Sequence, residues 1–341
     1  MRIALGFIVL LLASWFLSAL LGTPEESAAA QTPTEWISSS QCAECHQQIY
    51  DEWKSSPHAN AWNNEDVRAQ SNDFANKDCI DCHAPRPVFE TGLGKRVLPR
   101  SARRSEGVDC LTCHLLPDGG MAATITNPRA ACQPTTRREL QRVSLCAGCH
   151  DQHKTVQQWK ATPHAEHREG CMECHMPYRD GTPEGGRVHV MPGGHYIDMV
   201  RSAVVLTGAR SEDGIARVTL ENTSGHAYPT DERSRASDVW WRSLPDDEAD
   251  EPGPWRHLHR IRDPYRHEKD LASTLLHWGE ERTLEVEDEN GEAAHGRVEV
   301  VLVYKRTPYY RNAETGLAMH LADVEDPFQD SDLVHRVTIE P

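Results

Sequence analysis

Long apolar runs are scarce between residues 31 and 200 of this 341-residue chain, and only 38% of the whole is hydrophobic. So polar a stretch cannot close a large core from protein alone; some other apolar surface has to fill it. Spare cysteine is lacking too. Ten of the eleven cysteines belong to one repeated motif, which excludes a disulfide framework. The eleventh, Cys132, is a small buried filler or, failing that, a reactive thiol or an intermolecular disulfide site. Positive charge is also short, with a net charge of -16. Residues 201 to 341 hold 29 acidic against 17 basic residues, so -12 of that total sits there. Nucleic acid is excluded as a partner, because its phosphates need facing lysine and arginine. An acidic surface keeps a protein soluble and can steer a basic partner protein.

The repeated motif is Cys-x-x-Cys-His. It occurs at Cys42, Cys45, His46; at Cys79, Cys82, His83; at Cys110, Cys113, His114; at Cys146, Cys149, His150; and at Cys171, Cys174, His175. Zinc knuckles and redox pairs also use Cys-x-x-Cys, but neither requires a histidine directly after every second cysteine. The signature is that of covalent c-type haem: two thiols bond the porphyrin and the adjacent imidazole becomes the proximal iron ligand. Five porphyrins would supply the apolar surface that the first part of the chain lacks.

Met1-Arg2 precedes an uncharged apolar run from Ile3 to Leu21, and Ala28-Ala29-Ala30 offers a small-residue cleavage site. The run fits a secretory signal, and it is also long enough for a retained anchor at the inner membrane. Both readings place the body of the protein in the periplasm or elsewhere outside the cytoplasm. The expected organisation is a signal or anchor over residues 1–30, a pentahaem domain over 31–208 and a β-sandwich-like domain over 209–341. The expected fold class is a mainly helical and irregular multihaem domain packed around its haems, followed by a small antiparallel β-sandwich.

An internal repeat sets Trp53-Lys54-Ser55-Ser56-Pro57-His58-Ala59 against Trp159-Lys160-Ala161-Thr162-Pro163-His164-Ala165. A histidine just after proline at a helix end can reach an iron other than that of its own motif, which makes His58 and His164 candidate distal ligands. His189 and His195 lie in a glycine-rich segment before an apolar, helix-like run from Ile197 to Leu206, and are candidates too. Lys95, Arg96, Arg100, Arg103 and Arg104 form a basic loop in which one or two arginines could pair with haem propionates. Proline shortly after the second and fifth motifs ends each motif helix. From about residue 210 the pattern alternates, in Ile215–Leu220, Arg282–Val286, Arg297–Tyr304 and Val334–Ile339, with Asn290-Gly291 as a turn. The loop Gly225-His226-Ala227-Tyr228-Pro229-Thr230 would let His226 cap a haem across the domain boundary.

Cys42 to His46 with its Trp53 and His58 arm, Gly107-Val108-Asp109-Cys110 to His114, Cys171 to Pro177 and the His226 loop resemble the cytochrome c-554 class, related to the electron-accepting partner of hydroxylamine oxidoreductase. The resemblance covers most of residues 36 to 235. It implies haems stacked in close pairs that pass electrons, with histidines outside the motifs as distal ligands, in support of His58, His164 and His226 and more weakly of His189 and His195. The chain departs from the tetrahaem type by its fifth motif. It departs from pentahaem nitrite reductases by having no Cys-x-x-Cys-Lys.

Five proximal histidines against five distal candidates argue for an electron carrier working between redox partner proteins, since an iron held by two imidazoles has no open position. Without a thioether ligand, low potentials follow. His153 and His167 also lie near motifs and keep that count open. The alternative is an oxidoreductase in which one iron stays open to a small nitrogen or oxygen compound. A structural role, as a haem filament or an anchored docking module, ranks third.

Overall fold

A computed structural model describes residues 35–341 apart from 153, 168–169, 231–232, 247–250, 266–267 and 289. The Ile3–Leu21 run, its cleavage site and His153 lie outside the described residues. Among those described, no helix is long and apolar enough to cross a membrane.

Each Cys-x-x-Cys-His motif forms or sits within a helix: α1 (Ser40–Ser55), α2 (Asp78–His83), α3 (Cys110–His114), α4 (Ser144–His150) and α5 (Cys171–His175). All but α1 are too short to be stable by propensity alone, so they are held from outside. Asp109 caps α3, accepting from the Thr112 amide at 2.8 Å and the Thr112 hydroxyl at 2.7 Å. Helix α2 ends at His83, ahead of Pro85, and α5 at His175, ahead of Pro177, where the ring cannot continue the ladder.

Apolar burial is distributed unevenly. The clusters of the motif region are small, built on Phe74, Ile80 and Ala84 and on Leu116, Ala122 and Leu140. The large cluster lies wholly beyond residue 196 and joins two antiparallel sheets. After a two-stranded parallel pair, β1 (Met121–Ala123) and β2 (Pro134–Thr136), the sheets use β3 (Val204–Arg210), β4 (Ala216–Asn222), β5 (Ala236–Ser243), β6 (Arg256–Ile261), β7 (Glu281–Glu285), β8 (Val298–Lys305) and β9 (Asp332–Ile339). One sheet runs β3-β4-β7 and the other β6-β5-β8-β9.

Ala216, Val218 and Leu220 alternate inward along β4, as in a strand buried on one face. Strand β8 is buried along its whole length. Its Val298, Val300, Leu302 and Tyr304 join the cluster shared with the other sheet, while Val301 and Val303 pack on the opposite face with Trp240, Tyr310 and Val324.

The apolar run Ile197–Leu206 is not one helix. A helix spans Ile197–Ser202, and β3 starts at Val204, paired with Asn222 of β4. Two β-branched valines and a partner strand outweigh the helical pattern. Strand β5, with its adjacent Trp240 and Trp241, carries no alternating signal because both of its faces are covered.

Candidate haem-binding site

The motif helices bring together thiols that are far apart in sequence. The Cys42 and Cys110 side chains lie next to each other, as do Cys146 with Cys171 and Cys149 with Cys82. Cys113 lies close to Cys146 and Cys149. Burial, reinforced by Asp109, pushes the Cys113 thiol up to about 12, so it is held neutral. Cys132 is half-buried rather than enclosed, and it lies near Cys42.

The imidazoles form three facing pairs. His58 stands opposite His150 at 5.9 Å between ring centres, His114 opposite His189 at 6.4 Å, and His175 opposite His226 at 6.3 Å. Two imidazoles bound through nitrogen to one metal at about 2 Å, each ring centre about 1 Å behind its nitrogen, stand roughly 6 Å apart. The spacing therefore fits one haem iron between the members of each pair. Burial lowers the pKa of His58, His114, His189 and His226, bringing His58 to about 3, so all four are neutral donors at pH 7.

The second nitrogen of most of these rings is engaged. Nδ1 of His114 meets the Ala122 carbonyl at 2.8 Å, His175 that of Pro192 at 2.6 Å, His189 that of Arg187 at 2.8 Å and His226 that of Ala227 at 3.0 Å. His83 does the same with Ala61 at 2.8 Å. With Nδ1–H donating to a carbonyl, the tautomer is fixed and the Nε2 lone pair is left for a metal, as in most metal-bound histidines.

The remaining histidines are placed differently. His164 lies against Gly225, in the loop that carries His226, and Gln158 of the same arm accepts from the Ala227 amide at 3.1 Å. The two halves of the internal repeat thus put their histidines in unlike settings. His195 Nε2 takes an N–H of Arg235 at 3.2 Å, and burial followed by the charges of Arg235 and Arg306 brings its pKa to about 4. His46 is exposed, at a break in the helical backbone of α1. His83 has the Phe74 ring 5.9 Å away, and Phe74 stacks on Trp62 at 4.2 Å. His167 is exposed.

The basic loop serves the protein itself. Arg96 clamps α2 through Asp81 at 2.8 Å and Asp78 at 2.9 Å. Buried Arg100 donates to the carbonyls of Pro85, Arg103 and Gly107, and Arg103 bonds Asp109 at 2.6 Å. Arg104 donates to the Arg100 carbonyl and lies over the Trp62 ring. Carboxylates and carbonyls of the protein thus engage Arg96, Arg100 and Arg103, and Arg104 through its Nε.

His58 is positioned by backbone. Trp53 Nε1 donates to the Val108 carbonyl at 2.8 Å, and the Val108 amide donates to the His58 carbonyl at 2.8 Å. Gly107 has φ +59, and a Cβ there would overlap the His58 carbonyl oxygen. Gly107→Ala is therefore expected to move the His58 backbone and to replace one low-spin haem by a high-spin one in the electron paramagnetic resonance (EPR) spectrum. An unchanged spectrum would show that this contact does not position the ligand.

Sequence reasoning missed Met191, whose Sδ lies 2.6 Å from His58 Nδ1, and the carbonyls that orient the rings. Nothing in a sequence marks a backbone acceptor; for Met191, proximity to His189 was the available signal.

Residues 41–115 match the family described as cytochrome c554 and c-prime. The fold is similar to that of a penta-haem cytochrome c552 from Thermochromatium tepidum, with a TM-score of 0.60 and 19% identity, covering 89% of this chain and 99% of that one. The matched residues hold the first three Cys-x-x-Cys-His motifs, and the chain as a whole shares the fold of a multihaem cytochrome. No curated protein matches it in sequence. The five motifs and these similarities support several covalently bound haem c groups in the chain, and cytochromes of this kind interact with redox partner proteins. Each haem, when bound, supplies a one-electron iron couple.

Proposed function

We propose that this cytochrome is a periplasmic electron carrier with five haems, relaying electrons between partner proteins through bis-histidine irons. The observation that carries the reading is the set of three facing imidazole pairs, which supports His58 as ligand of the fourth haem, His189 of the third and His226 of the fifth. An iron closed on both sides changes charge without changing ligands, which suits transfer rather than catalysis. The thiol contacts support a connected relay. They set the first haem beside the third, the fourth beside the fifth and the second beside the fourth, with Cys113 joining the third to the fourth. In this reading the residues before β3 hold the haems, and the β-sandwich, which starts at Val204 rather than at 209, supplies a ligand, His226. His164 and His195 are proposed as ligands for the haems of the first and second motifs; for His195 this requires release of its bond to Arg235.

A second reading has its own observation. Phe74 stands as far from His83 as His58 stands from His150, and a phenyl ring cannot bond iron. Such a second haem would be open to a small nitrogen or oxygen compound. Intact mass and low-temperature EPR of the oxidised, haem-loaded protein decide between the two. Five haems, all low-spin, are the expected result. A high-spin signal that changes on adding nitrite, hydroxylamine or cyanide would overturn the carrier reading in favour of the open-site enzyme.

A further inference from the structure

Residues 187 to 192 touch the ligands of three different haems. The Arg187 carbonyl takes the Nδ1–H of His189, the Pro192 carbonyl takes that of His175, and between them Met191 presents its Sδ to Nδ1 of His58 at 2.6 Å. Met191 is held at φ +51, a left-handed conformation that a side chain with a Cβ adopts only when its surroundings impose it. A neighbouring bond helps to impose it: His175 Nδ1 sits 2.6 Å from the carbonyl of the next residue, Pro192. His58 is thus the exception among these rings. His114, His175, His189 and His226 donate to carbonyl oxygens, and His58 faces a thioether.

The acceptor matters to the iron. A carbonyl pulls on the Nδ1–H and makes the imidazole a stronger donor, which favours ferric over ferrous iron. A thioether is a weak acceptor and does so less.

We propose that Met191 is a positioning residue for His58 that leaves it a weaker donor than His114, His175, His189 or His226, and that this raises the potential of the fourth haem above those of the third and fifth. This rests on the assignment of His58 to the fourth haem made above. By the thiol contacts the fourth haem adjoins the second, the third and the fifth. An electron entering from the third or the fifth would then come to rest at the fourth, which serves as a collecting point of the relay.

The test is spectroelectrochemistry of the haem-loaded protein and its Met191→Gln and Met191→Leu variants, with potentiometric EPR to follow each haem. The His58 haem is identified as the one that turns high-spin in His58→Ala. Met191→Gln places an amide oxygen, a stronger acceptor, in front of Nδ1, and the midpoint of that haem is expected to move negative while the others hold. Leucine offers no acceptor, and the same midpoint is expected to hold or move positive. An unmoved midpoint in Met191→Gln, or a shift confined to another haem, would overturn the proposal. A high-spin haem in Met191→Leu would also overturn it, because the thioether would then be an iron ligand itself. If His58→Ala leaves every haem low-spin, the pairing of His58 with His150 fails instead.

Discussion

Replacing His226 by alanine is expected to turn one low-spin haem high-spin, leaving the covalent haem count unchanged. His226 faces His175 at 6.3 Å with the two rings only 12° from parallel, and its Nδ1 is turned to the Ala227 carbonyl, away from that partner. Burial, followed by the nearby His175, lowers its pKa, so the ring stands neutral and able to bond at pH 7. Without it the fifth iron keeps His175 alone, and water or an added anion such as cyanide can enter. The anchoring of the loop sharpens the expectation. Asn222 donates to the carbonyls of His226 and Leu276 at 2.8 and 2.7 Å, so loop and sheet stay in place when the imidazole is removed. Intact mass and EPR make the check; retention of five low-spin haems in His226→Ala would refute a ligand role for this residue.

The other large effect concerns stability. Asp238, fully buried on β5, takes two hydrogen bonds from Arg260 at 2.7 and 2.9 Å, with His257 Nε2 at 3.4 Å. Asp238→Ala leaves the Arg260 guanidinium with no counter-charge in a largely buried setting, a loss of about 3–5 kcal/mol. For a protein of this size the melting temperature should fall by on the order of 10 °C, read by far-ultraviolet circular dichroism. A fall of only a degree or two would mean that Arg260 finds water or another acceptor. Burial by itself raises the Asp238 carboxyl, and the hydrogen bonds from His257 and Arg260 outweigh it and hold it below its ordinary 3.8. A carboxyl depressed in the fold stabilises at every pH above its unfolded value and loses that contribution as pH falls through the folded one. The sheets should therefore resist acid down to about pH 4 and weaken below it, and Asp238→Ala should remove that part of the acid dependence.

How far these features could be read beforehand varies by residue. The thiols and proximal histidines are local: adjacency in the chain defines a haem attachment motif, so its residues are legible without any fold. The alternation of Ala216, Val218 and Leu220 is local as well, because the period of a strand is written in consecutive residues. The run from Ile197 to Leu206 misled because its end is decided by pairing with β4, a neighbour supplied by tertiary structure. The partners of the basic loop could not be read either: Asp78, Asp81 and Asp109 meet Arg96 and Arg103 only once the loop folds back on its neighbours.

Spacing and composition were enough to point to covalent haem, to say that the motif-bearing part would lack a large protein core, and that alternating strands would follow it. Each of these is written in neighbouring residues or in their totals. Packing settled the rest: which imidazole faces which, that Phe74 rather than a histidine stands near His83, that His195 is turned to Arg235, and that a methionine thioether meets His58. Those partners are separated by up to 133 residues, and a contact between groups so distant in the chain exists only once folding has brought their elements together.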